Sequence, residues 1–124
     1  MITLRKYQRA ALDAAYDAWR TGRSDNPLIV APCGAGKSII IAALCHEALT
    51  SWPETRILLL THRRELLTQN GAELLGLWPD APIGYYSAGL NRKDTAFPVL
   101  FAGIQSIWSK VTEFDPWDLV IIDE

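Results

Sequence analysis

Cysteine is scarce in this chain of 124 residues: Cys33 and Cys45 are the only two, with no C-x-x-C pair. That excludes a disulfide framework and a zinc site, and it fits a reducing, cytoplasmic setting. No apolar run reaches the roughly 18 residues a membrane span needs, and nothing after Met1 reads as a signal peptide, so no membrane partner is expected. Histidine occurs only as His46 and His62, neither with companion ligands at metal spacing. An excess of positive charge is also lacking, because 12 Lys and Arg face 14 Asp and Glu for a net charge of −2. A nucleic-acid partner would therefore be held by local patches and backbone amides, not by bulk charge. Internal repeats, low-complexity tracts and linkers are missing too, which leaves one domain as the expectation.

What is present is enough apolar sequence for a core and a strict alternation of element types. Leu4, Tyr7, Ala11, Leu12, Ala15, Tyr16 and Trp19 recur at spacings of three and four. They predict a helix from about residue 4 to 20, with Thr3 as N-cap and Gly22 as its stop. Leu28 to Ala31 reads as a strand running into a Gly-rich loop, and Ile39 to Leu49 as the helix behind that loop. Ile57 to Leu60 is apolar at successive positions, as in a strand covered on both faces of a parallel sheet, and 64–77 follows as a helix. Further strands are expected at 84–86, 99–101 and 119–122, a short helix at 104–110, and an exposed polar loop at 87–98. Strands alternating with helices predict an α/β doubly wound sheet. Trp19, Trp52, Trp78 and Trp117 lie on an apolar helix face or beside prolines, so packing is expected of them, not base stacking.

Ala31-Pro32-Cys33-Gly34-Ala35-Gly36-Lys37-Ser38 matches G-x-x-x-x-G-K-[ST], with Ala in place of the first Gly. Gly34 and Gly36 let the backbone turn its N–H groups toward a phosphate, and the helix that follows adds its dipole. Lys37 would reach the terminal phosphates of ATP and Ser38 would ligate Mg2+. The alternative is an ordinary Gly-rich turn. Cys33, inside the loop, has no partnering general base.

Asp123-Glu124 closes the apolar run Leu119-Val120-Ile121-Ile122. A carboxylate at the C-terminal edge of a parallel sheet can hold Mg2+ beside a phosphate loop, so Asp123 is the second metal residue. Glu124 beside it could orient or deprotonate the water that attacks the γ-phosphate, which favours hydrolysis over transfer to a small molecule. Lys37, Asp123 and Glu124 form the candidate catalytic set.

With these two motifs the chain resembles superfamily 2 helicases and translocases of the DEAD/DEAH-box type, and the likeness spans the whole chain. The loop Ser87-Ala88-Gly89-Leu90-Asn91-Arg92-Lys93 is similar to the RadD-like branch. The resemblance implies a RecA-like P-loop NTPase fold, with ATP and Mg2+ as cofactors. Leu4-Arg5-Lys6-Tyr7-Gln8 is similar to the segment in which the family's Gln reads the adenine edge and its Arg lies near the base, which assigns Gln8 and Arg5 those roles. Thr61 to Gln69 looks like motif Ia and implies that Thr61, Arg64 and Gln69 meet the nucleic-acid backbone. Phe101 to Ser106 is similar to the stretch whose Gln-Ser, here Gln105 and Ser106, contributes to the same groove, with Gly103 where Thr is frequent. The partners implied are DNA, single-stranded or forked, with RNA left open, and other DNA-repair proteins.

In that family the strand after motif II lies between the phosphate-loop strand and the motif II strand, and a second RecA-like domain completes the ATP site. Residues 1–124 are therefore expected to be a partial first RecA-like domain, incomplete after the motif II strand, and inactive by themselves. The other readings are a truncated nucleotide- or nucleic-acid-binding module without turnover and a small-molecule kinase.

Overall fold

The computed structural model describes residues 3–22, 26–30 and 36–123. The apolar stripe of the first segment forms helix α1 (Lys6–Arg20), which buries Leu12 and Ala15 and ends just before Gly22 at φ 72°. Its N-cap is Arg5, not Thr3. The reason is Gln8 at the third helical position, whose Oε1 accepts the Arg5 backbone N–H at 2.8 Å, one half of a capping box.

Helix α2 (Lys37–Ser51) starts at Gly36. Beyond it come β1 (Ile57–Thr61), α3 (Arg64–Leu77), β2 (Ile83–Ser87), β3 (Arg92–Lys93), β4 (Val99–Gly103), α4 (Ile104–Ile107) and β5 (Leu119–Ile122). A 3-10 turn, Val111–Glu113, precedes β5. The strands form one sheet in the order β3-β2-β4-β1-β5, parallel throughout except for β3. Helices on both faces make this the α/β doubly wound sheet the sequence predicts.

Side chains of successive strand residues point to opposite faces, and the core divides accordingly. Ile57, Leu59, Val99 and Phe101 pack against Ala42, Cys45 and Leu49 of α2 and Leu67 and Leu74 of α3. Leu58, Leu100 and Ala102 face the other way, onto Ile107 of α4 and the rings of Phe114 and Trp117. Helix α1 lies outside α2, with Leu12 against Ile40, Ala43 and Leu44. A polar clamp fastens the pair: Arg9 Nη2 donates to Glu47 Oε1 at 3.2 Å and Tyr16 Oη donates to the same oxygen at 2.9 Å. In α3, Gly71 leaves room for Tyr85, since a Cβ there would run into the phenol.

Four expectations change. The segment 26–30 forms no strand, and Leu28 and Val30 stand 85% and 84% exposed, while Ala31 lies outside the described residues. A strand needs a hydrogen-bonding neighbour, and β5 pairs only with β1 among the described residues. The loop at 87–98 contains β3, folded back on β2 through Asn91, whose φ of 54° suits an asparagine. The helix at 104–110 ends at Ile107, where the pairing tightens to Lys110 N–H on Ile107 O at 2.8 Å. Packing holds for Trp78, edge-on to His46, and for Trp117, which lies under the Arg56 guanidinium. Trp19 and Trp52 are exposed at element ends. No helix among the described residues is long and apolar enough to cross a membrane.

Candidate functional site

Parallel register brings the carboxyl ends of β1, β4 and β5 to one edge of the sheet. Thr61 sits level with Gly103, and Asp123, one residue past β5, donates its backbone N–H to Leu60 O at 2.9 Å. Ligands of open α/β sheets bind at such an edge. The start of α2 reaches it because Gly36 turns the chain in the left-handed region, at φ 78°. Only a residue without Cβ does this at no cost, and here a Cβ would also collide with the Gln8 amide. Gln8 is thereby placed against the last glycine of the phosphate loop, and it is buried.

Lys37 Nζ lies 3.2 Å from Asp123 Oδ1, although 86 positions separate the two residues. Ser38 Oγ donates to Asn70 Oδ1 at 3.0 Å, and Asn70 Nδ2 donates to Asp123 Oδ2 at 3.0 Å. The hydroxyl of one motif and the carboxylate of the other are thus joined through a single amide, with an ammonium beside the carboxylate. Hydroxyl and carboxylate oxygens are hard donors, the set that suits Mg2+. The residues present fit that ion and the phosphates it accompanies.

A second cluster lies at the loop after β2. Arg64, the first residue of α3, donates from Nη1 to Gly89 O at 3.2 Å, and Ser106 Oγ accepts the Ala88 N–H at 2.9 Å. The loop is held from both sides. Gln105 is exposed next to Ser106, and Gln69 is exposed further along α3, apart from the clamp. Thr61 is fully buried, and its Oγ1 accepts the Arg63 N–H at 3.2 Å. Its hydroxyl closes the strand-to-helix turn and is not presented to solvent. Arg5 is exposed at the head of α1.

The family model described as "Type III restriction enzyme, res subunit" matches residues 1–124. The chain belongs to that family. Its parallel sheet, with the phosphate-loop helix at the carboxyl edge, is the RecA-like P-loop NTPase fold expected from the sequence. The chain is also 30% identical over 132 aligned residues to the Saccharomyces cerevisiae protein named "Putative ATP-dependent helicase IRC3". That alignment covers 98% of the chain but 18% of the yeast protein, so the chain spans about a fifth of this relative.

Of the candidate residues, the sheet edge brings together Gln8, Gly36, Lys37, Ser38 and Asp123. Pro32, Cys33, Gly34, Ala35 and Glu124 lie outside the described residues. The residue that sequence reasoning missed is Asn70. Its signal was there, an amide at an apolar position three residues after Leu67 and four before Leu74 on the buried stripe of α3.

Proposed function

We propose that this chain is the ATP-binding part of an ATP-dependent DNA helicase or translocase of superfamily 2, in its RadD-like branch. The observation that carries the reading is the Lys37–Asp123 contact, which joins the phosphate-loop helix to the acidic strand end across the sheet edge. In this reading the loop from Pro32 to Gly36 wraps the phosphates, with the backbone N–H groups from Cys33 to Gly36 facing them, and Lys37 meets the terminal ones. Ser38 and Asp123 hold Mg2+, and Glu124 orients the attacking water. Gln8, held against Gly36, reads adenine, with Arg5 nearby. Nucleic acid runs over the loop clamped by Arg64 and Ser106, beside Gln105 and the turn at Thr61, and on toward Gln69 further along α3.

Residues 1–124 are proposed as a partial first RecA-like domain, with hydrolysis and movement belonging to a longer polypeptide that supplies the second. Family membership and the likeness to a protein named as a helicase support this. In the full-length protein, single-stranded DNA should stimulate ATP hydrolysis and Lys37→Ala should abolish it. Retained turnover in Lys37→Ala would sink the assignment. ATP binding without hydrolysis in the unsubstituted protein would instead make it a nucleotide-binding module.

A further inference from the structure

Asn70 is 3% exposed on α3, an element that belongs to neither nucleotide motif. A buried amide is costly unless both its ends are partnered, and both are, by the two residues assigned to the metal. The direction of each bond follows from chemistry. The Asp123 carboxylate has only acceptors to offer, so the amide must turn its NH2 toward it. That leaves the amide oxygen facing Ser38, and Ser38 must be the donor. The hydroxyl hydrogen is then fixed on Asn70, and the lone pairs of Ser38 Oγ are left for a cation. Asp123 is held at the same time, with Oδ2 on Asn70 and Oδ1 beside Lys37.

We infer that Asn70 is a positioning residue that sets the proton of Ser38 and the carboxylate of Asp123 for a divalent cation bound with the nucleotide. The inference rests on the ATP reading above and adds to it a residue outside both motifs. Outer partners of this kind are typically worth about 10-fold to 100-fold in metal affinity.

The test uses the full-length protein with ADP, titrated with Mn2+ and followed by the electron paramagnetic resonance of the free ion. Asn70→Leu keeps the side-chain size and the helix while removing the amide, and ADP affinity without metal reports whether the fold survives. Mn2+ affinity should fall by about 10-fold to 100-fold while metal-free ADP binding is unchanged. Should Asn70→Leu lose metal-free ADP binding, Asn70→Ser, which fits the same space, is titrated in its place with the same expectation. Unchanged Mn2+ affinity in a variant that binds metal-free ADP, alongside weakened affinity in Ser38→Ala, would overturn the role of Asn70 alone. Unchanged affinity in Ser38→Ala as well would overturn the ATP reading beneath it.

Discussion

Gly36 and Gln8 are coupled through space in a way that neither motif shows alone. The turn into α2 needs φ 78°, and the room a side chain would occupy is taken by the Gln8 amide, itself held by the backbone of Arg5. Gly36→Ala should therefore cost about 1–2 kcal/mol for the left-handed backbone, with the displaced Gln8 adding to it. Urea unfolding measures the loss, and ATP affinity should fall with it. A different residue-scale effect is expected at Glu47, whose carboxyl the hydrogen bond from Arg9 holds below the usual glutamate range. A lowered folded-state value contributes stability that is present above the unfolded value, near about 4.3, and lost as pH falls through the folded one. The pair is partly exposed, so Glu47→Gln should cost about 1 kcal/mol at neutral pH. It should also flatten the acid limb of a plot of melting temperature against pH, and an unchanged limb would show that the clamp contributes nothing. That Lys37, Ser38 and Asp123 belong to one cluster was legible because each sits in a short motif of restricted residue type. Asn70 was not, because its role exists only once α3 has been laid across two distant segments.

At the scale of elements, strands β1 and β4 were legible from apolar runs, since strands covered on both faces leave few polar positions, and β5 from a like run although only its Leu119 and Ile121 face is covered. Helix α3 was read with the bounds it has, starting at Arg64 and ending at Leu77. What could not be read is whatever depends on a partner: the N-cap at Arg5, set by Gln8, and the fold-back of β3 onto β2. The segment 26–30 shows the same limit from the other side, because an apolar run becomes a strand only where a ladder meets it. Arg64 depends on a partner too, donating to Gly89 O while its guanidinium stays exposed at the head of α3. If that helix end meets a phosphate backbone, Arg64→Ala should weaken DNA binding across sequences. The slope of log affinity against log salt should shrink by about one unit. Fluorescence anisotropy over a salt series measures it, and an unchanged slope would make Arg64 only the clamp of its loop.

Over the whole molecule, coverage of the sheet is uneven. The α2 side is layered twice, first by α2 and α3 and then by α1, whereas among the described residues the opposite face is packed by Ile107 of α4 and the rings of Phe114 and Trp117. That thin layer stops short of β5, where Leu119 and Ile121 turn toward the α2 side while Val120 and Ile122 are 48% and 70% exposed. Leu28 and Val30 add to the exposed apolar surface. An apolar strand with an open edge is a template for pairing with another chain, and covering a side chain the size of Val or Ile gains about 1.5–3 kcal/mol. The chain of 124 residues should therefore self-associate as concentration rises, and Val120→Lys with Ile122→Lys should keep it monomeric in sedimentation velocity. The same pair of substitutions separates two explanations of the exposed surface. If further polypeptide covers β5, the two lysines should destabilise the full-length protein by about 2 kcal/mol or more, because charge would then be forced into an apolar contact. An unchanged melting temperature in the full-length protein would show that Val120 and Ile122 stay uncovered there as well.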